Sequence, residues 1–234
     1  MRNPILTLLN FILPLSCSLC NKQDLLAKKI GICRECYEMP KEVQQKECPI
    51  CKSVIESSCD YCNSRNVFFD ELIYLRKGDT FHKKILRKIK FSKEPHLSYV
   101  FRWAMFRKLA SWKKISFQSI FYLTSNRKTL LKRPFHPCTP ILSRLAEYFQ
   151  APLASPVKKV STELQSSKTY QERFLHAKSA FELYPEFRNQ LTGNYLLVDD
   201  VFTTGATLNE VARILKENGA SAVYVLVMLK GESR

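Results

Sequence analysis

The sequence predicts an α/β fold built on a parallel sheet and preceded by a small cysteine-rich module. Three observations predict it. Four Cys-x-x-Cys pairs fall between Cys17 and Cys62, and no such pair recurs afterwards. The stretch 194–229 reads as strand, short loop, helix and strand, a βαβ unit, which requires a parallel pair. Its last strand, Ala222–Leu229 (AVYVLVML), is a continuous apolar run of the kind buried on both faces. At 234 residues the chain has room for one α/β domain and an accessory module. The division is expected near residue 66: a lead helix and cysteine module over 1–66, the sheet domain over 67–234.

The N-terminal run Ile5–Leu15, after Arg2 and before Ser16-Cys17, has the outline of an export signal, even a lipoprotein one. Pro14 stands where lipoprotein cleavage wants an aliphatic residue, and Cys17 belongs to the first cysteine pair. A short amphipathic lead helix is therefore expected. No apolar run reaches the ~20 residues needed to span a bilayer, and a cytoplasmic protein is expected.

The pairs are Cys17/Cys20, Cys33/Cys36, Cys48/Cys51 and Cys59/Cys62. A Cys-x-x-Cys knuckle lets two thiolates converge on one ion, and two knuckles complete a tetrahedral Cys₄ zinc site. Eight ligands make two structural zinc sites, closed to water. The region holds few large apolar residues, so metal binding would supply much of its folding free energy. The alternative, a disulfide framework, needs an oxidising compartment that nothing else in the chain supports. Sequential pairing gives a double zinc ribbon; a cross-braced pairing stays open. Cys138, outside the set, reads as a buried or partly buried thiol.

Beyond Cys62 the pattern turns to strands and helices. Phe68–Leu75 is expected as a strand, and Thr80–Phe91 as a basic helix with Phe81, Ile85 and Ile89 on one face. A second helix is expected over Ser98–Trp112, a buried strand over Ser119–Thr124, and a third helix over Thr139–Phe149. Ser155–Tyr184 is polar and reads as a loop with a short helix. Asn194–Val198 is an apolar strand; Leu208, Val211, Ala212 and Leu215 form a helical stripe that stops at Gly219.

Lys and Arg total 37 against 21 Asp and Glu, a formal net charge of +16, which favours phosphate-bearing partners. No acid occurs from Pro95 to Ala146, while Arg102, Arg107, Lys108, Lys113, Lys114, Arg127, Lys128, Lys132, Arg133 and Arg144 fall there. Aromatic residues are interleaved, a mixture suited to single-stranded nucleic acid, although most recur at helical spacing and read as core.

Against this charge, LLVDDVFTTGAT (196–207) sets Asp199 and Asp200 at the carboxyl edge of the sheet, where open α/β sheets bind ligands. The turn Thr203-Thr204-Gly205-Ala206-Thr207 offers backbone N–H groups, hydroxyls and a helix N-terminus to one phosphate. Acids beside a phosphate nest would hold vicinal hydroxyls, so the ligand inferred is a ribose 5-phosphate moiety, with Mg²⁺ on an adjoining diphosphate.

VDDVFTTGAT resembles the phosphoribosyl-pyrophosphate (PRPP) signature of type I phosphoribosyltransferases. With the four cysteine pairs ahead of it, the chain resembles the ComF family of competence-associated proteins. Further likeness lies in Lys83–Phe91 with its LRKIKF ending, the basic segment 127–136, Thr162 to Gln165, Arg173 to His176, and Ala180-Phe181. The resemblance implies a parallel-sheet, type I phosphoribosyltransferase-like domain that binds PRPP through Val198, Asp199, Asp200, Thr203, Thr204, Gly205, Ala206 and Thr207. Asp199 and Asp200 would take the catalytic positions. Lys90, Arg127, Lys128 and Arg133 would meet pyrophosphate or nucleic-acid phosphates. It further implies a role with single-stranded DNA in natural transformation, beside a competence helicase. The chain departs from the family where a Val-Pro-Val-Pro-like strand end reads Phe121-Tyr-Leu-Thr124, where a Gly-Phe-Asn-Gln element reads Pro134-Phe-His-Pro137, and where His176 replaces an asparagine. The ribose-phosphate half of the site is thus intact and the pyrophosphate half altered. The expected function is sugar-phosphate and DNA binding; the alternative is an active Mg²⁺-dependent phosphoribosyltransferase with His136 or His176 as its base, and a zinc-stabilised scaffold is a third.

Overall fold

The computed structural model describes residues 16–17, 19–23, 31–38, 46–64, 66–91, 94–123, 136–160, 177 and 179–231. The lead-helix run 5–15 lies outside them.

The cysteine segment is one device used twice. Antiparallel bridges Ser16↔Gln23 and Glu47↔Val54 enclose the first pair of each half. Cys17 N–H donates to Lys22 O and Cys48 N–H to Ser53 O, both at 2.8 Å, and Asn21 and Lys52 share a positive φ. The second pair of each half is carried by a short helix, α1 (Arg34–Glu38) and α2 (Asp60–Asn63).

The main sheet holds four parallel strands in the order β1-β6-β5-β2: β1 Glu71–Lys77, β2 Phe117–Tyr122, β5 Asn194–Phe202 and β6 Ala222–Lys230. A parallel bridge, Ile120↔Leu153, continues it beyond β2. Side chains alternate across each strand. Leu75, Ile120, Leu196, Val198 and Met228 enter one core with α3 (Thr80–Phe91), α4 (Tyr99–Lys108) and α5 (Thr139–Phe149). Leu72, Phe121, Leu197, Val225 and Val227 enter the other, with Leu208, Val211, Ala212 and Leu215 of α6 (Ala206–Glu217). Each such buried aliphatic side chain contributes about 1.5–3 kcal/mol. The fold is α/β, with helices on both faces of a parallel sheet.

The two cysteine groups lie on opposite faces. Cys17 and Cys33 pack in the α3–α5 core, and Cys48, Cys51 and Cys59 in the α6 core. The second group meets the outer edge of β1, where Leu72 N–H donates to Ile50 O (2.8 Å) and Tyr74 OH to Glu47 Oε1 (2.6 Å).

α3 spans the expected residues. Asp79 Oδ1 accepts His82 N–H at its N-terminus (2.7 Å), and Lys88 and Lys90 in its last turn suit the negative end of the dipole. Its buried stripe is His82, Ile85, Leu86 and Ile89, with Phe81 only partly covered. The helix expected over 98–112 divides into α4 and a 3₁₀ turn, Leu109–Trp112.

Three expectations are corrected. β1 begins three residues later than expected, Phe68 N–H donating to Asn209 Oδ1 instead of to a strand, and β2 runs two residues earlier, paired with β5 from Phe117↔Asn194 to Tyr122↔Val198. β5 does not stop at Val198: its pairing with β6 continues through Asp199↔Val227 to Phe202↔Lys230, so the acids lie inside the strand. The stretch 155–184 does not reduce to a loop and short helix; β3 (Val157–Lys159) and β4 (Phe181–Leu183) pair antiparallel. Val157, Phe181 and Leu183 bury their side chains in the α6 core, and the intervening charges conceal that alternation in the sequence.

Candidate functional site

A step in the sheet edge creates the site. β2 pairs with β5 only as far as Tyr122↔Val198, while β6 accompanies β5 four residues further. Asp199 and Asp200 therefore lie beyond the end of β2. Beside them a 380 Å³ cavity is lined by Lys90, Asp199, Asp200, Val201, Thr203, Thr204, Gly205, Ala206, Thr207 and Leu208. That size accommodates a sugar phosphate.

The loop's turn is set partly by its own sequence and partly by the residues behind it. Gly205 adopts φ +69°, the left-handed region, and a Cβ there would collide with the Tyr61 hydroxyl and the Phe202 ring. Thr204 Oγ1 accepts Ala206 N–H (3.3 Å), and Asn209 N–H donates to Gly205 O (2.8 Å), closing the first turn of α6. Buried Asn209 ties this turn to the segment after the cysteines, donating to Asn66 O and accepting Phe68 N–H, each at 2.8 Å.

Lys90 reaches in from the end of α3, its Nζ 2.7 Å from Asp200 Oδ2. Asp199 accepts Asp200 N–H on Oδ1 (2.8 Å). Withdrawal from water, and then the facing charge of Asp200, push the Asp199 carboxyl up to about 7, with Lys90 and Lys159 opposing the rise. Burial lowers Lys159 on β3, while Asp199 draws it back up. His136 completes the group: one of its ring nitrogens and the two carboxylates lie within 4.8 Å of one another. Its ring leans on Tyr122 (centroids 4.4 Å apart), and Nδ1 accepts Cys138 N–H at 3.2 Å. The Cys138 thiol is fully buried, and burial, then the charges of Asp200 and Asp199, push it up.

Of the residues singled out in the sequence, Asp199, Asp200, Thr203–Thr207 and Lys90 come together around one cavity. Val198 does not: its side chain is fully buried in the core with Leu196 and Met228. Arg127, Lys128 and Arg133, like the stretch 162–176, lie outside the described residues. Tyr61 and Lys159 escape sequence reasoning. Tyr61 occupies a free position of Cys59-Asp-Tyr-Cys62, and Lys159 reads as one charge of a polar stretch. A second cavity of 210 Å³ adjoins the first, sharing Lys90 and Val201; Lys83, Arg87 and Phe91 line it, and Phe91 is 61% exposed.

The cysteines converge sequentially, Cys17, Cys20, Cys33 and Cys36 in one group and Cys48, Cys51, Cys59 and Cys62 in the other. The Sγ–Sγ distances of 3.6 Å (Cys20–Cys33), 3.8 Å (Cys48–Cys62) and 3.4 Å (Cys51–Cys59) are too long for disulfides. They approach the edge of about 3.8 Å that four thiolates take around a tetrahedral Zn²⁺ at ~2.3 Å. Both groups fit such an ion, and the arrangement is that of a zinc ribbon. Among the described residues no helix is long and apolar enough to cross a membrane.

A parallel α/β sheet whose carboxyl edge carries adjacent acids, a glycine-hinged threonine loop and a helix N-terminus defines a phosphoribosyltransferase-like protein. Over 44 residues the chain is 43% identical to orotate phosphoribosyltransferase of Pseudomonas savastanoi pv. phaseolicola, 19% of this chain and 21% of that enzyme. Over 230 residues it is 26% identical to competence protein ComFC of Bacillus subtilis (strain 168), covering 89% of this chain and 91% of that protein. Competence protein F of Haemophilus influenzae matches at 30% over 96 residues, 40% of this chain and 42% of that one. No family model matches. On these relatives and this fold the chain is similar to the ComF competence proteins.

Proposed function

We propose that this protein binds a phosphoribosyl ligand, PRPP or a related sugar phosphate, together with single-stranded DNA, and acts in the cytoplasm during DNA uptake in natural transformation. The observation that carries the ligand is the grouping of Asp199, Asp200, Lys90 and the 203–207 loop around one cavity. In this reading Asp199 and Asp200 accept the ribose hydroxyls and the loop N–H groups hold the 5-phosphate. Lys90 orients Asp200 and faces the anionic ligand. Mg²⁺ would accompany the diphosphate, drawing on the carboxylates as oxygen donors. Zn²⁺ would fill both Cys₄ groups as a structural ion. The DNA role rests on the competence relatives and on the exposed cations Lys83, Lys84, Arg87, Lys113 and Lys114, with Phe91 as an exposed ring at which a base can stack. A partner helicase belongs to the same reading.

One observation favours catalysis as a second reading. His136 stands beside the acids and supplies the titratable group that the threonine loop lacks, so transfer of ribose 5-phosphate to an acceptor stays chemically open. Calorimetric titration with PRPP and Mg²⁺, repeated in the presence of single-stranded DNA, tests the binding reading. Saturable binding that Asp200→Asn abolishes is the expected result. No heat and no binding by the unsubstituted protein would remove it. Pyrophosphate release across a panel of bases separates the second reading from the first.

A further inference from the structure

The Cys48–Cys62 group lies against the back of the phosphate loop. Tyr61 stands between two of its cysteines, and its hydroxyl donates to Thr204 O at 3.2 Å. Its ring packs against Phe202, the residue that ends β5 (centroids 5.7 Å apart), and Phe69 meets the same ring at 6.2 Å. The backbone of Phe202 is fixed too, since Gly231 N–H donates to its carbonyl at 2.8 Å. A second connection runs through Lys230. Its Nζ lies 5.6 Å from the Phe202 ring centroid and 3.5 Å from Ser53 Oγ, and that oxygen also accepts from Cys51 Sγ at 3.3 Å. A Cys₄ group holding Zn²⁺ carries two negative charges, and Lys230 supplies a cation on the side facing the loop.

A trans peptide sets its C=O and N–H on opposite sides. Holding Thr204 O at Tyr61 therefore turns Gly205 N–H away from Tyr61, the orientation a phosphate nest requires. The collision that bars a Cβ at Gly205 involves the same hydroxyl and the same Phe202 ring. The loop is thus cast against the knuckle and does not hold its shape alone.

We infer that Tyr61 is a positioning residue for the phosphate loop, and that metal in the Cys48/Cys51/Cys59/Cys62 group sets the loop's affinity for a phosphate-bearing ligand through it. The ligand half of this inference rests on the phosphoribosyl reading; the mechanical half does not. The remote knuckle becomes part of the binding apparatus: oxidation or loss of its metal would weaken ligand capture before the sheet unfolds.

The test is Tyr61→Phe in the full-length, metal-loaded chain, which keeps the ring on Phe202 and deletes only the hydroxyl. Zinc content should stay at two equivalents. PRPP affinity, measured with Mg²⁺, should fall about fivefold, the worth of one neutral hydrogen bond. Amide exchange over 203–207 should quicken by a similar factor while the interior of α6 is unchanged. Chelation that empties the second group should reproduce both effects. Unchanged affinity and unchanged loop exchange in Tyr61→Phe would overturn the inference. If the parent protein binds no PRPP while its loop exchange responds to the substitution, the phosphoribosyl reading fails and the coupling stands.

Discussion

Asp199 is the residue whose chemistry the fold alters most. An aspartate raised to about 7 in the folded chain holds its proton where the unfolded chain has lost it. Between roughly pH 4 and pH 7 the native state therefore binds more protons, and this residue's contribution to stability declines as pH rises through that window. Asp199→Asn should raise Tm by a few degrees at pH 8, about 2–4 °C per kcal/mol in a chain of this size, and should flatten the fall in Tm between pH 4 and pH 7; thermal scans at several pH values check it. The same substitution should cost ligand affinity, because an amide cannot replace a carboxylate between two hydroxyls. For the parent protein, PRPP affinity should increase as pH passes through 7, when Asp199 ionises. Lys90 has the opposite role. Its pair with Asp200 is largely shielded, with 18% and 17% of the two side chains exposed, so Lys90→Met leaves a poorly solvated carboxylate. Such a change costs several kcal/mol when fully buried and less here. PRPP affinity should fall at least about tenfold, and the loss should be smaller in high salt, where the remaining charges are screened.

At the scale of elements, α6 is held to the rest of the chain mainly by its buried apolar face, and Asn209 is the most exacting of its polar contacts. It satisfies Asn66 O and Phe68 N–H together, so Asn209→Ala leaves two backbone groups without their partner. A loss of about 2–3 kcal/mol is expected in urea denaturation. How much of this could be read from sequence differs by element. The cysteine pairs and the DDVFTTGAT turn are legible because their spacing states their chemistry directly: thiolates two residues apart share an ion, and a glycine among threonines makes a phosphate turn. α3 and α5 are legible from periodicity, as is the apolar β6. The step that opens the cavity is not, because it depends on where β2 ends against β5, and register belongs to a pair of strands. Tyr61 is hidden for a related reason. Local pattern assigns no function to the second free position of a Cys-x-x-Cys knuckle, and only the tertiary fold brings it 143 residues along the chain to Thr204. β3 and β4 are obscured by Lys158, Lys159 and Glu182, whose charges mask three buried apolar residues.

For the whole molecule, charge and metal are the quantities to measure. Single-stranded DNA binding should weaken linearly in log–log terms with salt, at about 0.7 ions per phosphate contact. Charge reversal at Lys83, Arg87 and Lys114 should reduce both affinity and slope. An affinity indifferent to salt and to those reversals would deny the DNA role. Metal analysis should return two zinc equivalents. Emptying the second group alone should first loosen the 203–207 loop, and removal of both ions by strong chelators should then cause cooperative loss of structure, because the thiolate groups belong to both cores.

The meeting of the second cysteine group with the edge of β1 has a further consequence for solubility. Leu72–Leu75 is a four-residue apolar run on the outermost strand, and its backbone is capped by Ile50 and flanked by Glu47. Without metal to hold the segment in place, that run becomes an uncovered strand edge, the standard template for adding strands from other molecules. The metal-free chain should accordingly form β-rich aggregates in preference to a soluble unfolded monomer. Chelation followed by light scattering and thioflavin fluorescence should show it.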